Sequence, residues 1–236
     1  MNNLLTIKED MHIHSNFSDG KHSVRENIEQ AEARGLNRIC CVDHVRRDTE
    51  WVQEFVDHIA QERLRTKLTV YAGIETKFLN TMGDFDLPED IAGIDFIYAA
   101  DHQFPIGDTF MHPREVRQMI AKGKITRRRA IEELCTATNN AMQRYNGLVI
   151  AHLFSILPKV GLDEREVPEH LLIQMAKTAR INKVKIEIDE RWKCPGFRAV
   201  SIFKEHGVPI LYSTDSHRKE TIGVYNYNIQ LFSMLA

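Results

Sequence analysis

Short apolar stretches alternate with amphipathic stretches along almost the whole chain. Seven of the apolar stretches have the length and composition of strands, at residues 7–14, 38–42, 68–74, 95–99, 148–150, 184–188 and 208–212. Several of them, such as "RICCV", are apolar at nearly every position, which is typical of strands buried on both faces of a parallel sheet. The pattern therefore predicts a sheet made mostly of parallel strands.

Helical patterns lie between these predicted strands. One helix is expected to begin after Ser23 and to end at Gly35, because Glu26 completes a capping box with Ser23. In the next helix, Trp51, Phe55 and Ile59 recur at the spacing of one helix face. Further helices are predicted over residues 113–123, 124–147, 167–180 and 196–207, the second of them starting near Thr126.

Alternation of strand and helix predicts a single α/β domain over residues 1–236, built as a closed or distorted barrel. An open doubly wound sheet is the alternative, but no glycine-rich phosphate loop follows the first strand. No low-complexity segment, internal repeat or linker divides the chain.

Composition narrows the class of protein. The chain is 43% hydrophobic and 27% charged, as in ordinary globular proteins, and its net charge of −2 argues against a general nucleic-acid binder. Its first ten residues lack the pattern of a secretory signal, and no apolar run reaches the roughly 20 residues that span a bilayer. The four cysteines form no CxxC pair or disulfide framework. We therefore expect a cytoplasmic protein with reduced thiols and no membrane or stable nucleic-acid partner.

Histidines and carboxylates stand at the carboxyl ends of six of the seven predicted strands. In chain order they are His12, His14, Asp19, His44, Glu75, His102, His152, Asp215 and His217. In an α/β barrel these strand ends meet on one rim, where active sites lie. Alternate residues of a strand point the same way, so His12 and His14 can converge on one cation. Imidazole and carboxylate together suit zinc, iron or manganese, and the pattern predicts a multinuclear metal site.

The order HxH…SDG…DH…E…H…H…DxH resembles the PHP (polymerase and histidinol phosphatase) family of metal-dependent phosphoesterases. The similar motifs extend from His12 to His217, nearly the whole chain. The resemblance implies a distorted, TIM-like (β/α)7 barrel that holds two to three divalent ions. Here "STDSH" and "AHL" stand where the family often has SDAH and AHP, and neither difference removes a ligand.

The same resemblance implies which residues share an ion, with Glu75 bridging two of the three. The expected sets are His12, His14, Glu75 and Asp215; Glu75, His102 and His152; and Asp19, His44 and His217. Three divalent ions would carry more positive charge than the three carboxylates return, and this surplus would attract a phosphate.

Divalent ions lower the pKa of bound water from about 15.7 to about 7, so we predict in-line attack on phosphorus by a metal-bridging hydroxide. No GxSxG motif and no candidate cysteine nucleophile compete with this interpretation. The residues expected to be catalytic are His12, His14, Glu75, Asp215 and His217. Weaker candidates for contact with the substrate are Arg46, His112, Arg191 and Arg218.

The predicted substrate is a small phosphorylated metabolite. A monoester resembling histidinol phosphate and a nucleotide or cyclic phosphodiester both fit the motifs. The alternatives are a nuclease acting on DNA ends, a metal-dependent C–N hydrolase of amidohydrolase type, and a non-enzymatic module with structural metals. Amidohydrolase sites often use a modified lysine as the bridge, whereas Glu75 is the natural bridge here.

Overall fold

A parallel seven-stranded sheet curves into a barrel in the computed structural model, which describes residues 7–235. The strands are β1 (Glu9–Ile13), β2 (Arg38–His44), β3 (Thr69–Lys77), β4 (Phe96–Ala100), β5 (Phe104–Ile106), β6 (Thr109–Met111), β7 (Val149–Ile150), β8 (Lys185–Asp189) and β9 (Ile210–Ser213). The barrel order is β1-β2-β3-β4-β7-β8-β9, while β5 and β6 form a separate antiparallel hairpin.

Helices connect most of the barrel strands. They are α1 (Val24–Ala33), α2 (Val52–Arg63), α3 (Pro113–Ala121), α4 (Arg127–Arg144), α5 (Glu169–Ile181), α6 (Phe197–Glu205) and α7 (Tyr227–Leu235). Short 3-10 turns occupy Pro158–Val160, Glu164–Glu166 and Lys219–Thr221. Over residues 7–235, no helix is long and apolar enough to cross a membrane.

Sequence and structure agree on the seven barrel strands and on the first six helices. The capping box at the start of α1 is confirmed, since the Glu26 N–H donates to Ser23 Oγ and the Ser23 N–H donates to Glu26 Oε2. The hairpin of β5 and β6 and the last helix, α7, were not predicted from the sequence. The single α/β barrel of TIM-like type is confirmed and replaces the doubly wound alternative. The prediction that the first ten residues carry no secretory signal concerns mainly residues 1–6, which lie outside the residues that the structure describes.

The barrel closes between β1 and the segment after β9. The His14 N–H donates to the Ser216 carbonyl at 2.8 Å, and the Ser216 N–H donates to the His12 carbonyl at 3.2 Å. Nearby, the buried Asp10 carboxylate accepts from the N–H and hydroxyl of Thr214 at 3.0 and 2.6 Å. The two ends of the sequence pattern, HxH and DxH, are therefore held side by side.

Side chains of the strands alternate between a narrow barrel interior and a larger core beneath the helices. The interior is filled by Met11, Cys40, Val42, Tyr98, Ala100, Val149, Ala151 and Leu211. Gly73 of β3 also faces inward, and a Cβ there would lie 2.8 Å from Cys40 Sγ and 2.9 Å from Val42 Cγ2. This lower part of the barrel is therefore a packed core, and the predicted histidines and carboxylates lie beyond it, at the rim.

Candidate metal centre

Glu75 lies at the middle of the rim, with only 2% of its surface exposed. Its two carboxylate oxygens face ring nitrogens of five histidines: His44 at 2.9 Å, His152 at 3.0 Å, His102 at 3.2 Å, His12 at 3.5 Å and His14 at 3.6 Å. These histidines come from four different strands or the loops that follow them. One buried carboxylate is thus surrounded by five imidazoles that the sequence spreads over 140 residues.

His12 and His14 converge as their spacing predicts. Their Nε2 atoms lie 3.0 Å apart, and His14 Nε2 lies 3.2 Å from Asp215 Oδ1. β1 contains a register shift between Asp10 and Ile13, a bulge of the kind that redirects side chains next to functional sites. The pair of histidines and the Asp215 carboxylate therefore form a compact buried group at the junction that closes the barrel.

A more open group lies above this pair. Asp19, about half exposed, has Oδ2 at 3.2 Å from His217 Nε2 and 3.7 Å from His44 Nε2. Its Oδ1 lies 3.5 Å from His14 Nδ1. His44 consequently faces two groups at once, with Nδ1 toward Glu75 and Nε2 toward Asp19.

Ligand atoms in three sets lie within 4.8 Å of one another: His14, Asp19, His44 and His217; His12, His14 and Asp215; and His44, Glu75 and His102. These sets overlap more than the three predicted from the resemblance. His14 and His44 each belong to two of them, and His152 joins the cluster through its 3.0 Å contact with Glu75. All nine predicted residues are nevertheless brought to one rim.

The donor set fits divalent cations on two structural grounds. Facing Nε2 atoms at 3.0 Å need a proton or a cation between them, because two nitrogen lone pairs repel. In addition, the buried His14 Nδ1 has no hydrogen-bond partner among the described residues. A buried polar atom without a partner is costly in a native site, and a metal ligand has this property before its ion binds.

Burial and neighbouring charges shift the pKa values of several side chains in the cluster. Burial lowers the pKa of His12, but the neighbouring Glu187 and Glu75 carboxylates outweigh burial and hold the pKa well above its ordinary value. Burial, together with the His12 charge, lowers the pKa of His14 to about 4. Burial opposes ionisation of Glu75 as well, yet the His102, His44 and His12 charges hold its pKa well below the usual range. The rim thus keeps ionised carboxylates that attract positive charge.

Buried carboxylates behind the cluster hold its histidines in place. Glu187 of β8 accepts from His12 Nδ1 at 2.8 Å and from the His152 N–H at 2.7 Å. Asp101 accepts from the Ser155 hydroxyl at 2.6 Å, and Ser155 Oγ lies 3.0 Å from His152 Nδ1. Carboxylates that bind the second ring nitrogen fix the tautomer and orientation of a metal-binding histidine. The sequence placed Glu187 at a strand end without deciding its role, and it gave no signal for Ser155.

Asp43 supports the loop that carries Asp19. Its carboxylate accepts from the N–H and hydroxyl of Ser15 at 2.9 and 2.6 Å and from the Ser18 hydroxyl at 2.5 Å. Asp43 itself is fully buried on the opposite side of β2 from His44. The aspartate that precedes the predicted ligand therefore shapes the loop instead of entering the cluster.

Two residues of the rim adopt a left-handed backbone. His152 has φ of 30° and Asp215 has φ of 46°. This conformation costs a residue with a side chain roughly 1–2 kcal/mol and persists where surrounding contacts impose it. The strain lies at two of the residues whose side chains meet the other predicted ligands.

Two cavities adjoin the cluster. One, of about 410 Å³, includes Arg191, Arg218, Asp215 and His217 in its lining. The other, of about 550 Å³, is lined by Ser18, Asp19, His44, Val45, Arg46, Glu75, Lys77, His102 and Gln103. Three of the four residues predicted to contact substrate therefore lie at the mouth, and their role stays a prediction.

The fourth, His112, has a structural position. Its Nδ1 accepts the Arg114 N–H at 3.1 Å, and Glu115 completes a capping box at the start of α3. Neither of the two cavities beside the cluster includes His112 in its described lining.

Comparison with known proteins identifies the family. The model of the PHP domain family matches residues 10–191, and the chain belongs to this family. Probable phosphatases of Vibrio campbellii and Vibrio parahaemolyticus are 26% and 25% identical over 129 residues. These matches cover 51% of this chain and only 51% of each relative.

A solved structure has a similar fold. It is the histidinol phosphate phosphatase of Lactococcus lactis subsp. lactis Il1403, complexed with zinc, L-histidinol and phosphate. The two chains superpose with a TM-score of 0.68 at 21% identity, over 97% of this chain and 92% of the other. The similarity extends over the whole barrel and supports the fold assignment.

Proposed function

We propose that this protein is a metal-dependent phosphoesterase that hydrolyses the phosphate ester of a small metabolite. The observation that carries the proposal is the single buried Glu75 carboxylate with five imidazole nitrogens within 3.6 Å of it, at a barrel mouth. The PHP family, the probable phosphatases among its relatives and the phosphatase with a similar fold support the same class of reaction.

Two to three divalent ions, zinc, manganese or iron, would occupy the cluster. The residues proposed to hold them are His12, His14, Asp19, His44, Glu75, His102, His152, Asp215 and His217. Glu75 is the proposed bridge, because its two oxygens face different histidines. When bound, such ions supply Lewis acidity toward a phosphoryl oxygen and water of lowered pKa at neutral pH.

The chain's own groups would bind and orient the ester. Arg191 and Arg218 line one cavity beside the cluster and Arg46 lines the other, and we expect these guanidiniums to contact a phosphate bound at the cluster. Arginine binds phosphate through paired N–H donors, which fixes orientation as well as charge. Glu187 and Asp101 would keep the histidines in one tautomer while the ester reacts.

Hydrolysis of a monoester, including one resembling histidinol phosphate, is the leading version. Hydrolysis of a nucleotide or cyclic diester is the other version, and the two cavities that adjoin the cluster would receive its two ester arms. Rates on p-nitrophenyl phosphate and on its bis ester would distinguish the two. Faster cleavage of the monoester supports the leading version.

The test compares wild type with Glu75→Gln and with Glu62→Gln, a matched buried carboxylate that pairs with Arg25 and Arg65 away from the cluster. We expect the wild type to hold two to three equivalents of transition metal and to cleave p-nitrophenyl phosphate or its bis ester. Glu75→Gln should lose turnover and metal, whereas Glu62→Gln should keep both. Turnover that survives exhaustive metal removal would refute the proposal.

A further inference from the structure

Trp192, in the loop after β8, reaches back to the cluster. Its indole Nε1–H donates to Asp215 Oδ2 at 2.9 Å, while the other oxygen, Oδ1, lies 3.2 Å from His14 Nε2. One oxygen of Asp215 is therefore held by the indole, and the other faces the histidine pair. Neither the motifs nor the comparisons assign Trp192 a role.

Several contacts fix the indole ring even though 39% of the residue is exposed. The Trp192 N–H donates to Asp189 Oδ1 at 2.6 Å, which anchors its backbone to the end of β8. Lys159 Nζ lies 4.3 Å from the ring centroid, and Arg191 Cζ lies 5.5 Å from it. Cations over an indole face are attracted by its quadrupole, so both contacts resist rotation of the ring.

The chemistry of the donor matters as well. Arg191 Nη1 also approaches Asp215 Oδ2, at 3.2 Å, but it is half exposed and lies 2.8 Å from His217 Nδ1. A guanidinium carries a full charge that competes with a metal cation for the same carboxylate. The neutral indole N–H, in contrast, orients the carboxylate without opposing a cation on its other oxygen.

We propose that Trp192 is a positioning residue of the metal centre. By holding Oδ2, it presents Asp215 Oδ1 toward the ion that His12 and His14 would share. The backbone of Asp215 is left-handed, with φ of 46°, and the indole N–H is the shortest contact of its Oδ2. The inference rests on the proposed metal site.

Trp192→Phe tests the inference, because it removes the N–H and keeps an aromatic ring. The matched control is Tyr227→Phe, which removes a hydroxyl that donates to the Pro195 carbonyl of the same loop at 2.9 Å without touching Asp215. Zinc affinity is measured by competition with a chromophoric chelator. Loss of an outer hydrogen bond to a metal ligand lowers affinity roughly 10–100-fold, and we expect this loss for one ion in Trp192→Phe alone.

A second readout is the NMR spectrum of the wild-type protein. The chain has two tryptophans, so ¹⁵N-labelled protein has two indole N–H resonances, and Trp51→Phe assigns them. The Trp192 resonance should exchange slowly with water and should move when zinc is added.

The inference would be overturned if Trp192→Phe bound zinc with wild-type affinity. It would also be overturned if the Trp192 resonance lay at the free-indole position and did not shift when zinc was added. A wild type that binds no zinc would overturn the proposed function itself. The two failures are therefore distinguishable.

Discussion

Replacement of Glu187 by glutamine should weaken metal binding without removing a ligand. Glu187 is fully buried, and its two oxygens accept from His12 Nδ1 and from the His152 N–H. Glutamine has the same shape but only one acceptor oxygen. If that oxygen faces His12, the amide NH2 opposes the His152 N–H. If it faces His152, the NH2 opposes His12 Nδ1 and drives the ring proton onto Nε2, the nitrogen that faces Glu75.

The size of the effect follows from these two orientations. A buried donor without an acceptor costs roughly 1–3 kcal/mol. Changes in the partners of metal-binding histidines typically cost 10–100-fold in affinity, which corresponds to about 1.4–2.8 kcal/mol. We therefore expect the zinc affinity of the site nearest His12 to fall by about one to two orders of magnitude, and the affinities of the other sites to fall less.

Chelator competition on the folded protein measures this change, and Glu62→Gln controls for loss of a buried charge. Glu62, on α2, pairs with Arg25 of α1 and with Arg65 just beyond α2, and neither pair includes a residue of the cluster. Glu62→Gln should bind zinc as wild type does. Equal zinc affinities for wild type and Glu187→Gln would show that His12 does not depend on Glu187 for its tautomer.

Three further outcomes are expected. Zinc binding should release protons and weaken as pH falls, because neighbouring carboxylates raise the pKa of His12 and His152 despite their burial, and these rings lose a proton to become ligands. Titration calorimetry in buffers of different ionisation enthalpy reads this release, and identical heats in all buffers would contradict it. Removal of the metal ions by a chelator should lower the melting temperature, because a ligand at 100 times its Kd stabilises a protein by about 2.7 kcal/mol. An unchanged melting temperature would argue against bound metal. Arg218→Ala should lower kcat/KM for the phosphate ester roughly 10–100-fold, mainly through KM, because it removes a charged hydrogen bond worth about 1.5–3 kcal/mol. The control is Arg165→Ala, since Arg165 forms an exposed pair with Asp163. An equal effect of both changes would exclude a substrate role for Arg218.

Much of the fold could be predicted from the sequence because barrel strands carry their signal locally. Apolar runs such as "RICCV" became β2, and the Ser23–Glu26 capping box starts α1. The hairpin of β5 and β6 has only three residues in each strand, too few for a clear alternation. The last helix, α7, was missed because its apolar residues do not concentrate on one face.

The convergence of the nine clustered residues could be predicted because each ends or follows a strand, but the residues that support them could not. Glu187 meets His12 across 175 residues of chain, and only barrel closure brings β8 and β1 that near. Trp192 lies in a loop, where no periodicity tells which way a side chain points. The overlapping sets that share His14 and His44 depend on distances of a few ångströms, which strand alternation does not specify.

We propose that Glu75 bridges ions within one multinuclear centre. Crystals grown with zinc, measured on both sides of the zinc absorption edge, test it most directly. We expect two to three anomalous peaks at the rim, two of them contacting opposite oxygens of Glu75. A single peak, peaks away from Glu75, or none at saturating zinc would contradict it.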